Sequence, residues 1–168
     1  MSLLQRWNSL PIDEAEAAIL ACCGSKRWAK RIAVGRPYES DEQFLKTAHS
    51  VWWGLGREDW LEAYASHPRI GEVAAAHASN QMQTWSEQEQ SAARTGDSDA
   101  KIALAIGNRR YEERFGYKYL VCATGKTSQE LLSILQSRLS NEPGPELLEA
   151  AREQAMIMNI RLKKWLES

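Results

Sequence analysis

A chain of 168 residues is long enough for one domain with a sizeable hydrophobic core and too short for two without a clear linker. Its 21 basic and 22 acidic side chains leave a formal net charge of -1 with neither sign gathered into a long run, which argues against nucleic acid or a membrane surface as partner. Three cysteines, Cys22, Cys23 and Cys122, form neither a disulfide framework nor a spaced zinc pattern and favour a reducing, cytoplasmic setting.

The opening segment meets acidic residues early and lacks the basic start and unbroken apolar run of a secretory signal. No stretch has the apolar length of a membrane span, and the closing Glu167-Ser168 is not a peroxisomal address. Short helices are expected near 12–22, 26–33 and 58–65, with VGRP at 34–37 breaking the run. The KRWAKR cluster at 26–31 reads as a solvated helix face rather than a phosphate site. Residues 41–55 place Phe44, Leu45, Ala48, Val51, Trp52 and Leu55 three and four apart, and Ser40 with Gln43 offers a capping box.

In YASHPRIG, residues 64–71, Pro68 restrains His67 to extended geometry and sets it at a helix exit. A polar helix is predicted over 80–94, ending near Gly96. Another over 98–114 ends before Gly116, with Leu104, Asn108, Tyr111 and Phe115 on one face. The β-like stretch YKYLVCATG at 117–125 has no second strand to pair with, so it is expected to be a buried, extended connection whose backbone groups find other partners. Thr127 with Glu130 offers a second capping box for a helix to about 140, presenting Leu131, Leu132, Ile134, Leu135 and Leu139 to the core. NEPGPE at 141–146 separates it from a last helix over 146–166. The expected architecture is all-α, a single-domain compact helical bundle over 1–168.

Three places hold candidate chemistry. On one helix, Thr84 is followed at i+3 by Glu87 and at i+4 by Gln88, so a hydroxyl, an acid and a carboxamide either converge on one small volume or simply form an exposed polar face. The last helix carries an apolar stripe of Leu147, Ala151, Ala155, Met158, Leu162 and Trp165, with Arg161 at its edge. Spacing alone favours an arginine that covers the seam with its stem and carries its charge to water, over one that clamps a carboxylate or carbonyl. His67, His49 and His77 have no metal-ligand spacing; His49 reads as structural and His77 as solvent-facing. Serine-hydrolase, P-loop and dinucleotide fingerprints are absent.

Taken in order, RPY at 36–38, HPRIG at 67–71, EQ at 87–88, NRRYEERFGYKYLVCATGK at 108–126, SRLSN at 137–141 and IRL at 160–162 resemble the 2-oxo-4-hydroxy-4-carboxy-5-ureidoimidazoline (OHCU) decarboxylase family over almost the whole chain. The resemblance implies an all-helical, cofactor-independent and metal-free carboxy-lyase of urate breakdown, forming (S)-allantoin from a small ureidoimidazoline substrate. It assigns catalysis to His67 and Glu87. Substrate contacts fall to Pro68, Thr84, Gln88, Ile160 and Arg161, together with Tyr119, Leu120, Val121, Cys122 and Ala123 of the connection. A homodimer is the further implication.

Two departures stand out against the family pattern. Thr84 replaces the more usual serine, keeping a hydroxyl and adding a methyl, and Arg69 follows Pro68 where an acidic residue is more common. A ureide-binding protein with an eroded pocket is the non-catalytic alternative. A helical interaction module, suggested by seven tryptophans, is a third; mutual burial of the rings is the expected explanation of those.

Overall fold

A computed structural model of the protein describes residues 1–72, 79–94 and 97–168. Among them every regular element is an α-helix, as the periodicity predicts. The chain divides into two units, Met1–Ala63 with Ala155–Ser168, and Tyr64–Gln154.

The first unit holds α1 (Leu3–Asn8), α2 (Ile12–Cys23), α3 (Lys26–Val34), α4 (Asp41–Trp53) and most of α5 (Arg57–Ala65). Helix α1 was not expected from periodicity, yet Ser2 and Gln5 close a full capping box for it. At Ser40 the predicted box is half made: Ser40 caps the Gln43 N–H, but the Gln43 side chain accepts from Glu39 N at 2.7 Å. Helix α4 then closes at Trp53, short of Leu55, as the Gly54 N–H returns to Ser50 O.

Burial of aromatic rings builds this unit's core. Trp7 lies edge-on to Phe44 and Trp165 with ring centroids at 5.3 and 5.7 Å, and its indole N–H donates to Ala15 O. Arg36 of the RPY stretch lies over the Trp7 ring and donates to Ala33, Trp7 and Leu10 carbonyls, so it fastens helix ends. Five of the seven tryptophans are buried, whereas Trp53 is exposed and edge-on to Trp60 and His49. His49 therefore sits on the exposed face of α4 instead of serving the core.

The second unit holds α6 (Asn80–Glu89), α7 (Ser91–Arg94), α8 (Ser98–Phe115), α9 (Ser128–Arg138) and the first half of α10 (Pro143–Leu166). The single helix predicted over 80–94 is broken at Gln90, whose side chain turns away to accept the Gly71 N–H at 2.8 Å. The face of α8 bearing Leu104, Asn108, Tyr111 and Phe115 is buried as its spacing predicts. At Gly107 an added methyl would overlap the fully buried Leu135, so this glycine lets α8 and α9 approach. Thr127 and Glu130 form the predicted capping box of α9. Helix α10 begins three residues earlier than the expected 146, because a proline at the first helical position gives up no intrahelical bond.

Residues 117–125 run extended with no strand partner among the described residues, and side chains satisfy the backbone. Arg138 donates to Leu120 O at 2.7 Å, Glu153 accepts from Cys122 N at 2.9 Å, and Lys126 donates to Cys122 O at 2.7 Å. Arg138 in turn pairs with Glu146, which also accepts from the Tyr111 hydroxyl at 2.5 Å and from Asn141 Nδ2 at 2.9 Å. Glu146 is fully buried, so removing its cation leaves an uncompensated charge. Arg138→Met is expected to lower unfolding free energy by about 3–5 kcal/mol in urea titrations, and the double change Arg138→Met with Glu146→Leu to recover much of it.

Candidate active site

His67 lies two residues past the end of α5, and its surroundings in the second unit are polar and closed. The side chain is buried, with Nε2 at 2.7 Å from the carboxamide oxygen of Gln154, itself fully buried on α10. Its backbone N–H donates to Tyr64 O, and its carbonyl accepts from Lys118 Nζ at 2.9 Å. Lys118 also donates to Ala65 O at 3.1 Å, so a cation closes the C-terminal end of α5. Burial first, and then the neighbouring Arg69, hold the Lys118 pKa below the usual lysine range.

The rest of HPRIG is fastened in the same way. Arg69 pairs with Glu112 at 2.8 Å, the Ile70 carbonyl accepts from Asn108 Nδ2 at 3.2 Å, and Gly71 donates to Gln90. Gly71 itself takes a φ of 92°, a left-handed conformation that suits glycine. The departure at Arg69 thus carries its charge onto Glu112 and, at 3.5 Å, onto Glu72.

Helix α6 presents Thr84, Glu87 and Gln88 together on its exposed side, while Trp85, Ser86 and Glu89 turn inward. The Thr84 hydroxyl donates to Asn80 O at 2.9 Å, one turn back on its own helix. Among the described residues the Glu87 side chain makes no hydrogen bond or ion pair, and the group at hydrogen-bond distance from the imidazole is Gln154. Tyr119, Leu120, Val121, Cys122 and Ala123 are buried, held by the Arg138, Glu153 and Lys126 contacts given above. Pro68 is half-buried, and His77 lies outside the described residues.

In the first unit, Ile160 is half-buried and Arg161 is 1% exposed, with Nη1 donating to Ala21 O at 2.9 Å. The snorkelling expectation for Arg161 is therefore overturned: the guanidinium is drawn inward by a carbonyl in the last turn of α2, which lacks an intrahelical donor. Its charge opposes the dominant effect of burial, which pushes the Cys22 thiol up to about 12. Cys23 and Cys122 are raised as well, chiefly by burial, so none of the three offers a thiolate nucleophile near neutral pH. No group of three or more metal-ligating side chains occurs among the described residues.

A cavity of about 600 Å³ opens elsewhere in the second unit, lined by Arg69, Asn108, Arg109, Glu112, Ser128 and neighbours. It contains none of the expected catalytic or substrate-contact residues and is bordered by Glu72 and Arg94, the last described positions before 73–78 and 95–96. Sequence reasoning missed Gln154, Glu153, Lys118 and Arg138, which act on the site through contacts remote in sequence. The signal available for Glu153 and Gln154 was only an interruption of the apolar pattern of α10 by two polar residues that are buried.

A family model described as OHCU decarboxylase matches residues 8–163. The chain is 37% identical over 145 residues to the uric acid degradation bifunctional protein TTL of Arabidopsis thaliana, covering 85% of this chain and 44% of that protein. It is 28% identical over 136 residues to the uric acid degradation bifunctional protein PucL of Bacillus subtilis, covering 80% of this chain and 26% of that one. The chain thus spans less than half the length of these curated relatives. A crystal structure of OHCU decarboxylase in the presence of (S)-allantoin superposes with a TM-score of 0.78 at 33% identity, covering 89% of this chain and 96% of that one.

Glu153 gives this site a pH signature. Burial raises its pKa above the ordinary carboxylate range, against the opposing Cys122 N–H bond and the charge of Arg138. The folded state then binds more protons than the unfolded one, so this residue's contribution to stability falls as pH rises from the ordinary carboxylate value through the raised folded-state value. Glu153→Gln keeps an acceptor for Cys122 N and removes the titration; thermal melts across pH 4 to 8 should show a flatter decline than wild type as pH rises above the ordinary carboxylate value.

Proposed function

The chain belongs to the OHCU decarboxylase family, and from that membership we propose that it catalyses cofactor-independent decarboxylation of 2-oxo-4-hydroxy-4-carboxy-5-ureidoimidazoline to (S)-allantoin. The observation that carries this reading is a buried, anchored imidazole in the HPRIG stretch of a chain matched to the family over 8–163. The proposal treats 1–168 as one working domain.

Loss of carbon dioxide leaves an electron pair on carbon that must spread into the imidazoline ring and its carbonyl or imine groups before that carbon is protonated. Groups that are positive or donate hydrogen bonds to those atoms stabilise the developing charge more than the ground state. In the proposed assignment His67 is the general acid and base, because its ordinary pKa lies nearest neutrality, and Glu87 assists it. Arg161 grips the ureido or ring carbonyl edge, and Gln88 orients the ring. Thr84 contributes acceptor lone pairs, its proton being directed to Asn80 O. Pro68, Ile160 and residues 119–123 supply shape and backbone contacts. Shielding of one face of the planar intermediate gives the (S) product.

The same proposal places the protein in the cytoplasm as a homodimer acting on a small molecule, without nucleic-acid or membrane partners. Among the described residues no helix is long and apolar enough to cross a membrane.

The test is chiral detection of allantoin from freshly generated substrate in metal-free buffer. Wild type should accelerate carbon dioxide release and give excess (S)-allantoin, and His67→Asn should lower kcat by about 10²–10⁴-fold, with Glu87→Gln less severe. Product formation at the uncatalysed rate by folded wild-type protein that still binds ureides would instead select the non-catalytic binding reading.

A further inference from the structure

We propose that Gln154 is a positioning residue that holds His67 in the Nε2–H form and thereby assigns proton transfer to Nδ1. The kinetic part of this inference rests on the decarboxylase reading above; the tautomer does not.

A carboxamide oxygen can only accept, and Gln154 Oε1 stands 2.7 Å from His67 Nε2, so that ring nitrogen is the donor. A neutral imidazole has one N–H and one lone pair, which leaves the basic lone pair on Nδ1. The hydrogen bond also survives protonation, because imidazolium keeps its Nε2–H. Gln154 therefore fixes the ring through a full cycle of proton gain and loss at the other nitrogen.

The surroundings keep that geometry from relaxing. Gln154 is fully buried and His67 only 6% exposed. The His67 backbone is pinned on both sides, by Tyr64 O at 3.3 Å and Lys118 Nζ at 2.9 Å, and Pro68 restricts its conformation further. With backbone and one ring nitrogen both fixed, the direction of the Nδ1 lone pair is set before any substrate arrives.

Heteronuclear NMR on ¹⁵N-labelled protein tests this without turnover. Wild type should show neutral His67 with a solvent-protected Nε2–H and an unprotonated Nδ1. Gln154→Leu should lose the protection and lower kcat about tenfold with KM within about twofold of wild type, and Gln154→Glu, which retains an acceptor oxygen, should restore the protected proton. An Nδ1–H pattern in wild type overturns the proposal even if the leucine variant fails to fold, as does a folded Gln154→Leu protein with unchanged kcat. A protected Nε2–H in wild-type protein that shows no decarboxylation would support the Gln154 assignment and sink the decarboxylase reading.

Discussion

One buried carboxylate organises the second unit. Glu146 takes hydrogen bonds from Tyr111 on α8, Arg138 at the end of α9 and Asn141 in the turn before α10, so three stretches of chain must arrive in one register. Burying an ion pair is a poor source of net stability, because desolvating both charges consumes most of their attraction. What it supplies here is position. Arg138 lies over the Tyr119 and Tyr111 rings, with centroid distances of 5.1 and 5.8 Å, and its Nη1 donates to the Leu120 carbonyl. An extended connection with no sheet to join is thereby given a fixed path.

Helix α8 extends that order to the histidine. Asn108, Tyr111 and Glu112 follow one another by three and one, close enough in angle to share a side of the helix, yet they reach different targets: Ile70 O, Glu146 and Arg69. The same helix thus braces both the buried carboxylate and the turn after His67. Gly116 ends it in the left-handed conformation at φ 83°, turning the chain into the connection that follows. In this chain the NRRYEERFG residues with visible side-chain contacts brace the fold, and the chemistry proposed for the site falls on other residues.

The helices were legible because their signals are local. Apolar spacing of three and four residues, with caps at Ser40 and Thr127, marks most of them within a few positions. The lack of a strand partner for 117–125 among the described residues was equally legible, since the sequence offers no second strand-like segment to receive it. Breaks caused by distant contacts were not: helix 80–94 reads as continuous until Gln90 is drawn away by Gly71, 19 residues earlier. Arg161 misled for a related reason, because helical phase locates a side chain at a seam without revealing a waiting carbonyl such as Ala21 O. For the site, sequence identified the histidine's perch through Pro68 but not the group beside its ring, which lies 87 residues away.

That group's lack of charge is itself informative. A carboxylate at hydrogen-bond distance from Nε2 would favour imidazolium over imidazole and shift the histidine away from neutrality. A carboxamide accepts the same proton with the same directionality and brings no charge of its own to the ring. Such a partner suits the acid–base role proposed for His67, because it orients the ring and adds no charge beside it. Glu153, the adjacent residue on α10, carries the acid instead, and its carboxylate is occupied by the Cys122 N–H. Two neighbouring side chains thus divide the work, the charged one holding backbone and the neutral one holding the imidazole.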